Sequence, residues 1–150
     1  MSRERHMQKN KHITIGQLAG ACDVSIDTLR YYERCKLLQP DGRSKASYRL
    51  YGPGSIQRVD FIKRCKSLGF TLEEIRKMLA LKSSKDATCA EMLERTHAKV
   101  EEAKRQVKEL SRIESALTKL AKVCPGGDMP ISQCPILNHL YPDEIKRKKP

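Results

Sequence analysis

Residues 87–123 read ATCAEMLERTHAKVEEAKRQVKELSRIESALTKLAKV, and this stretch decides the architecture. It contains no Gly and no Pro and is dense in strong helix formers, so it reads as one long helix. Val100, Ala103, Val107, Leu110, Leu117 and Leu120 recur at three- and four-residue steps, with Ile113 one position off the seam. Lys, Arg and Glu occupy the remaining faces, the charge pattern of a coiled coil rather than of a buried core helix. A helix of this length cannot bury its own apolar stripe, and the nearest partner is a second copy of itself. A homodimer is therefore expected.

The cysteines at the two ends of the stretch add geometry. Cys89 opens the helix and Cys124 follows it. At 1.5 Å per residue they lie roughly 50 Å apart while the helix is intact. If two such helices pair antiparallel, Cys89 of one protomer comes beside Cys124 of the other. Each end of the dimer then carries an identical thiol cluster.

The charge is unevenly spread. Of the net +12, residues 1–85 carry eighteen Lys and Arg against eight Asp and Glu, whereas 86–123 carry eight against seven and 124–150 four against three. A basic lobe of this kind is the electrostatic footprint of nucleic-acid binding. No run of eighteen apolar residues is present, and the opening MSRERHMQKNK lacks the apolar segment of a secretory signal. A cytoplasmic protein without membrane contact is the expectation. In a reducing compartment the six cysteines are free thiols or metal ligands.

Residues 1–12 form a basic flexible arm. ITIGQLAGACDVSIDTLRYYERCKLL (13–38) holds two short amphipathic helices around the break Asp23-Val24-Ser25. Ile15, Leu18, Ala19 and Cys22 line one apolar face. Ser25 caps the second helix, whose apolar side is Ile26, Leu29 and Tyr32. Two short helices and a tight turn in a basic lobe suit a helix-turn-helix, with Thr28, Arg30, Tyr31 and Arg34 facing a groove or phosphates. A plain helical hairpin is the competing reading. Asp41-Gly42 signals a turn, and Tyr48 to Tyr51 is β-prone, so a small hairpin bearing Arg43, Lys45 and Arg49 makes a basic wing. Pro53 suits the first turn of the next helix, which stops at Gly69; its apolar positions are Ile56, Val59, Phe61, Ile62 and Cys65. Thr71 and Glu74 form a capping box for another helix, and Ser83 to Asp86 link it to the long helix.

ITIGQLA, VSIDTLRYYER, YRLY and IKRCKSLGFTLEEIRKML together resemble the mercury-resistance-regulator (MerR) family of bacterial transcription regulators, over roughly Ile13 to Leu140. The resemblance implies a mainly α protein. Its parts are a winged helix-turn-helix DNA-binding domain (13–85), an antiparallel coiled-coil dimerisation helix (86–123), a metal-binding loop with a short helix (124–141) and a basic tail (142–150). It further implies double-stranded promoter DNA and RNA polymerase as partners, with activation by untwisting a promoter whose elements are spaced too far apart. By the same resemblance Arg30 and Tyr31 match recognition-helix contacts, Tyr48 and Arg49 match the wing, and Arg58 matches a helix residue near the DNA backbone.

After the long helix, CPGGDMPISQCPILNHL (124–140) places Cys124 and Cys134 at the edges of a loop forced by Pro and Gly. Cys89 from the other protomer completes three sulfurs, and thiolates select soft or borderline ions. The resemblance gives the Cys89 position to sensors of divalent metals, whereas copper-type sensors carry Ser there. Its zinc-type pattern adds a second Cys and a loop His where this chain has Pro125 and Met129. Three thiolates without nitrogen favour Hg(II), Cd(II) or Pb(II) as effector. Zn(II) ranks close behind and would need Asp128, His139 or water as fourth ligand. The alternatives are a thiol-redox sensor using a Cys124–Cys134 disulfide and a Cu(I)-type sensor. Cys22, Cys35 and Cys65 read as small packed residues. The four His have no ligand spacing, and no nucleophile and base pair up as an enzyme requires. A coiled-coil scaffold leaves the basic lobe unexplained. Only 27 residues follow the long helix, too few for a drug-binding pocket.

Overall fold

The computed structural model describes residues 11–141. The N-terminal arm is thus covered only at Lys11 and His12, and the basic tail at 142–150 lies outside the described residues. The elements run β1 (Ile13–Thr14), α1 (Ile15–Cys22), α2 (Ile26–Arg34), β2 (Gly42–Arg43), β3 (Arg49–Tyr51), α3 (Ser55–Ser67), α4 (Leu72–Ser83), α5 (Cys89–Lys122), a 3-10 turn (Ile131–Gln133) and α6 (Pro135–Leu140). The residues group into two compact units that divide between Lys99 and Val100, within α5.

The first unit is a winged helix-turn-helix. Thr14 caps α1 through a capping box with Gln17, and Asp23 ends it in a left-handed conformation (φ 53°). Ser25 then accepts the Thr28 backbone N–H and starts α2. Each cap satisfies backbone groups that a short helix would otherwise leave open, so the tight turn costs little. Leu29 and Tyr32 of α2 are buried against Leu18, Ala19 and Cys22 of α1. Ile26, expected on the same apolar side, is instead 38% exposed, at the first position of α2.

The wing is a three-stranded antiparallel sheet in the order β1-β3-β2, pairing Ile13 with Tyr51 and Arg43 with Arg49. The sequence pattern predicted the β2–β3 hairpin but not β1, whose two residues are too few for any alternation to appear. Gly52 follows β3, and a Cβ there would meet the exposed Asp41 carboxylate, which would have to move aside. Gly54 is the N-cap of α3, so Pro53 precedes the helix rather than entering its first turn as expected. Gly69, at φ 87°, ends the segment, and Thr71 and Glu74 form the predicted capping box of α4. Leu18, Leu29, Leu37, Leu38, Tyr51, Val59, Ile62 and Ile75 are essentially fully buried and make the core.

The first turns of α5 belong to this unit. Met92 packs on the core, and Lys99 is 9% exposed with Nζ 2.9 Å from Glu74 Oε2 and 5.3 Å from the Phe70 ring centre.

The second unit comprises the later turns of α5, the loop and α6. Val100, Val107, Leu110, Ile113 and Leu117 are 41–65% exposed, an apolar stripe that the described residues leave uncovered. Gly126 and Gly127 take φ near 70°, a region glycine enters without strain, and so turn the chain out of the helix.

Candidate DNA-binding face and thiol site

On α2 the buried face is Leu29 and Tyr32, so the helical period puts Asp27, Arg30, Tyr31 and Arg34 on the outside. Tyr31 is 46% exposed, and the Arg34 guanidinium lies 5.5 Å over its ring. Arg30 Nη1 is 3.5 Å from Asp27 Oδ1, a loose pair between exposed groups that a phosphate can displace. Thr28 is half-buried, and its hydroxyl is 2.8 Å from Ser25 Oγ. It therefore serves the N-cap as well as lining the face.

The wing presents Arg43, Lys45, Tyr48 and Arg49, all exposed, with Tyr48 at 67%. Its turn is braced from within: Arg43 Nη1 donates to Ser47 O at 2.9 Å, and Ser44 N donates to Tyr48 O at 2.8 Å. Ser47 is left-handed (φ 64°), a strained position for a residue with a Cβ. Arg58 is half-buried, and its Nε donates to the Leu37 carbonyl, so part of this guanidinium serves the fold. Lys63 similarly donates to the Cys22 carbonyl.

Sequence reasoning passed over Glu33. Its side chain is 14% exposed; it accepts a hydrogen bond from the Tyr51 hydroxyl, and Oε2 lies 3.5 Å from Arg49 Nη1. Burial, then the Glu33 hydrogen bond, pushes the Tyr51 hydroxyl well above the usual tyrosine range, so it stays a proton donor. The signal was available: a carboxylate beside the buried Tyr32 has to find partners.

The thiols differ in setting. Cys22 and Cys65 are buried, and burial raises both thiols above the usual range; Cys22 Sγ is 3.9 Å from Ile56 O. Cys35 is half-buried at the end of α2. These three are packed residues. Cys89 is exposed at the first position of α5, behind Thr88, whose backbone N–H donates to Glu91 at 2.7 Å.

Cys124 and Cys134 are half-buried and come together across the nine residues between them. Cys134 occupies the N-cap position of α6. Its thiol is held below the usual range by the Leu137 backbone N–H, and further by the Ile136 N–H and the Cys124 thiol. A lowered thiol is a better soft-metal ligand at neutral pH. Among the described residues no three His, Cys, Asp or Glu side chains gather as a metal site. Within the chain, then, neither Asp128 nor His139 completes a three-ligand set with the two loop thiols.

A recognition helix seated in a helix-turn-helix, a basic hairpin wing and a long exposed helix define a winged helix-turn-helix transcription regulator. Residues 13–82 match the family described as MerR HTH family regulatory protein, and residues 56–120 match MerR, DNA binding. The chain is 40% identical over 126 residues to the mercuric resistance operon regulatory protein of Bacillus cereus, spanning 84% of this chain and 95% of that protein. The transcription regulator PbrR691 from Ralstonia metallidurans CH34, solved with lead(II), matches with a TM-score of 0.77 at 33% identity, covering 86% of this chain and 99% of that one. HiNmlR, a MerR family regulator lacking the sensor domain and bound to promoter DNA, matches with a TM-score of 0.52 at 27% identity, over 74% of this chain and 89% of that one. The chain belongs to the MerR family of DNA-binding transcription regulators. Among its described residues, no helix is long and apolar enough to cross a membrane.

Proposed function

We propose that the protein is a homodimeric, metal-responsive activator. Cys124, Cys134 and Cys89 of the partner subunit would hold one thiophilic divalent ion at each end of the dimer. The observation that carries this reading is the thiol pair Cys124–Cys134, primed at the start of α6 and one ligand short of a three-sulfur site. Cys89 is exposed at the other end of a 34-residue helix, so it can serve the site only from a second chain paired antiparallel. The exposed stripe from Val100 to Leu117 supports that pairing.

Hg(II), Cd(II) and Pb(II) are the favoured effectors, because each accepts three sulfurs, and Zn(II) follows close behind. The mercuric resistance relative and the lead(II)-bound neighbour support this ranking. Arg30, Tyr31, Arg34 and Thr28 are assigned to the major groove and its phosphates, and Arg43, Lys45, Tyr48 and Arg49 to the flanking backbone; Arg58 stands nearer to a positioning role. Ordering of the 124–134 loop by the three thiols would change the pose of the two DNA-binding lobes and so distort the promoter for RNA polymerase.

The test is a titration of the reduced protein with each ion, read by thiolate charge-transfer absorbance, alongside transcription from its promoter. One tight ion per protomer, lost for divalent ions in Cys89→Ser, is the expected result; unchanged binding in that variant would sink the three-sulfur site. The Cys124–Cys134 contact also favours a second reading, a redox switch that closes a disulfide there. In that case alkylation of the two thiols is blocked by oxidant and not by metal.

A further inference from the structure

Glu33 sits on α2, among the residues assigned to DNA, yet it carries the wrong charge for that surface and is mostly buried. Its two oxygens have different tasks. One accepts from the Tyr51 hydroxyl at the end of β3, which fixes the carboxylate against the core. The other faces Arg49 Nη1 at 3.5 Å from the same strand. The Arg49 side chain is itself 42% exposed on the wing. Arg43, its cross-strand neighbour, is engaged with Ser47 O and does not compete for the carboxylate.

We propose that Glu33 is a positioning residue for DNA binding, holding the Arg49 guanidinium in the orientation that meets a backbone phosphate and tying the wing to the recognition helix. The physical case is entropic. A free arginine on this small sheet must be ordered when it meets DNA, whereas one already held by a fixed carboxylate has part of that cost removed before binding. The proposal rests on the assignment of Arg49 to DNA made above.

Two expectations of opposite sign make it testable. Glu33→Gln keeps an oxygen for the Tyr51 hydroxyl and removes a negative charge from a DNA-binding face. On charge alone, binding should tighten. Positioning predicts that it weakens, by roughly two- to five-fold, the worth of an ion pair with one exposed member. Promoter affinity would be measured by fluorescence anisotropy across salt concentrations for the wild type, Glu33→Gln, Arg49→Ala and the double variant, with thermal melts of each. Arg49→Ala is expected to make the slope of log K against log salt shallower by about 0.9, one phosphate contact. Glu33→Gln is expected to move the slope the same way with little change in melting, and to add nothing in the Arg49→Ala background. A fold-only role for Glu33 would leave the slope alone. If Glu33→Gln binds as well as the wild type or better while Arg49→Ala weakens binding, positioning fails and the Arg49 assignment stands. If Arg49→Ala itself binds as the wild type does, the assignment fails and carries the proposal down with it.

Discussion

Lys99 is where the long helix is fastened to the DNA-binding unit, and replacing it by Met tests that fastening. The Met side chain keeps the apolar stem of a residue that is 9% exposed, so loss of packing is small. Two of its contacts with the DNA-binding unit are among those lost. The ammonium no longer lies 5.3 Å over the Phe70 ring, which is worth about 0.5–1 kcal/mol. The 2.9 Å pair with Glu74 is also lost; because that carboxylate is 39% exposed it rehydrates, so the loss is about 0.5–1 kcal/mol rather than the several expected of a fully buried pair. Together these give about 1–2 kcal/mol. At ordinary urea sensitivities the unfolding midpoint should fall by about 0.5–1 M with the slope unchanged. Urea unfolding followed by circular dichroism would measure it, with Glu74→Gln and the double variant closing a cycle. A midpoint equal to or above the wild type, or full additivity in the cycle, would refute the account of this joint.

Glu74 also sets a pH dependence. The Thr71 backbone N–H, and then Lys99, hold its carboxyl below the usual range, so the unfolded chain binds its proton more readily than the folded one. Its contribution is therefore complete above the ordinary carboxylate range and fades as pH falls through the lowered value, and Glu74→Gln should flatten the acid limb of stability against pH. In the reduced, metal-free native protein at neutral pH, iodoacetamide should label Cys134 well before Cys22 and Cys65, whose buried thiols are raised; mass spectrometry of timed samples reads the order, and equal rates would contradict it. Val107→Glu or Leu110→Glu puts a charge on the uncovered stripe and should shift sedimentation from dimer to monomer while leaving the fold of the first unit intact.

Much of this architecture was legible in the sequence because its signals are local. The break at Asp23 to Ser25, the Thr71–Glu74 box and the Gly69 stop each act within four residues, and each appears where the sequence put it. The long helix announced itself by the absence of breakers and by its stripe. What escaped depends on contacts between distant segments. β1 exists because Ile13 and Thr14 meet Tyr51 and Leu50, and nothing in two residues foretells it. Ile26 has the right character for the core but the wrong position, which only the packing of α1 on α2 decides. Glu33 drew no reading and Lys99 read as one of the charged faces of the long helix; both prove to be fasteners, with partners 18 and 25 positions away in sequence. The thiol site was legible as chemistry, in the Cys at each loop edge, while the approach of Cys124 to Cys134 depends on the turn through Gly126 and Gly127.

Each proposed metal site is built from two chains, and mixed dimers test this most directly. Cys89→Ser and Cys124→Ser each leave a homodimer with both sites broken. In a heterodimer of the two, purified through different tags, one end combines Cys124 and Cys134 of the first chain with Cys89 of the second and is whole, while the other end lacks both changed thiols. Titration with Hg(II), read by charge-transfer absorbance, should find weak binding in either homodimer and one tight ion per heterodimer. A heterodimer that binds no better than its parents would contradict a site shared between protomers.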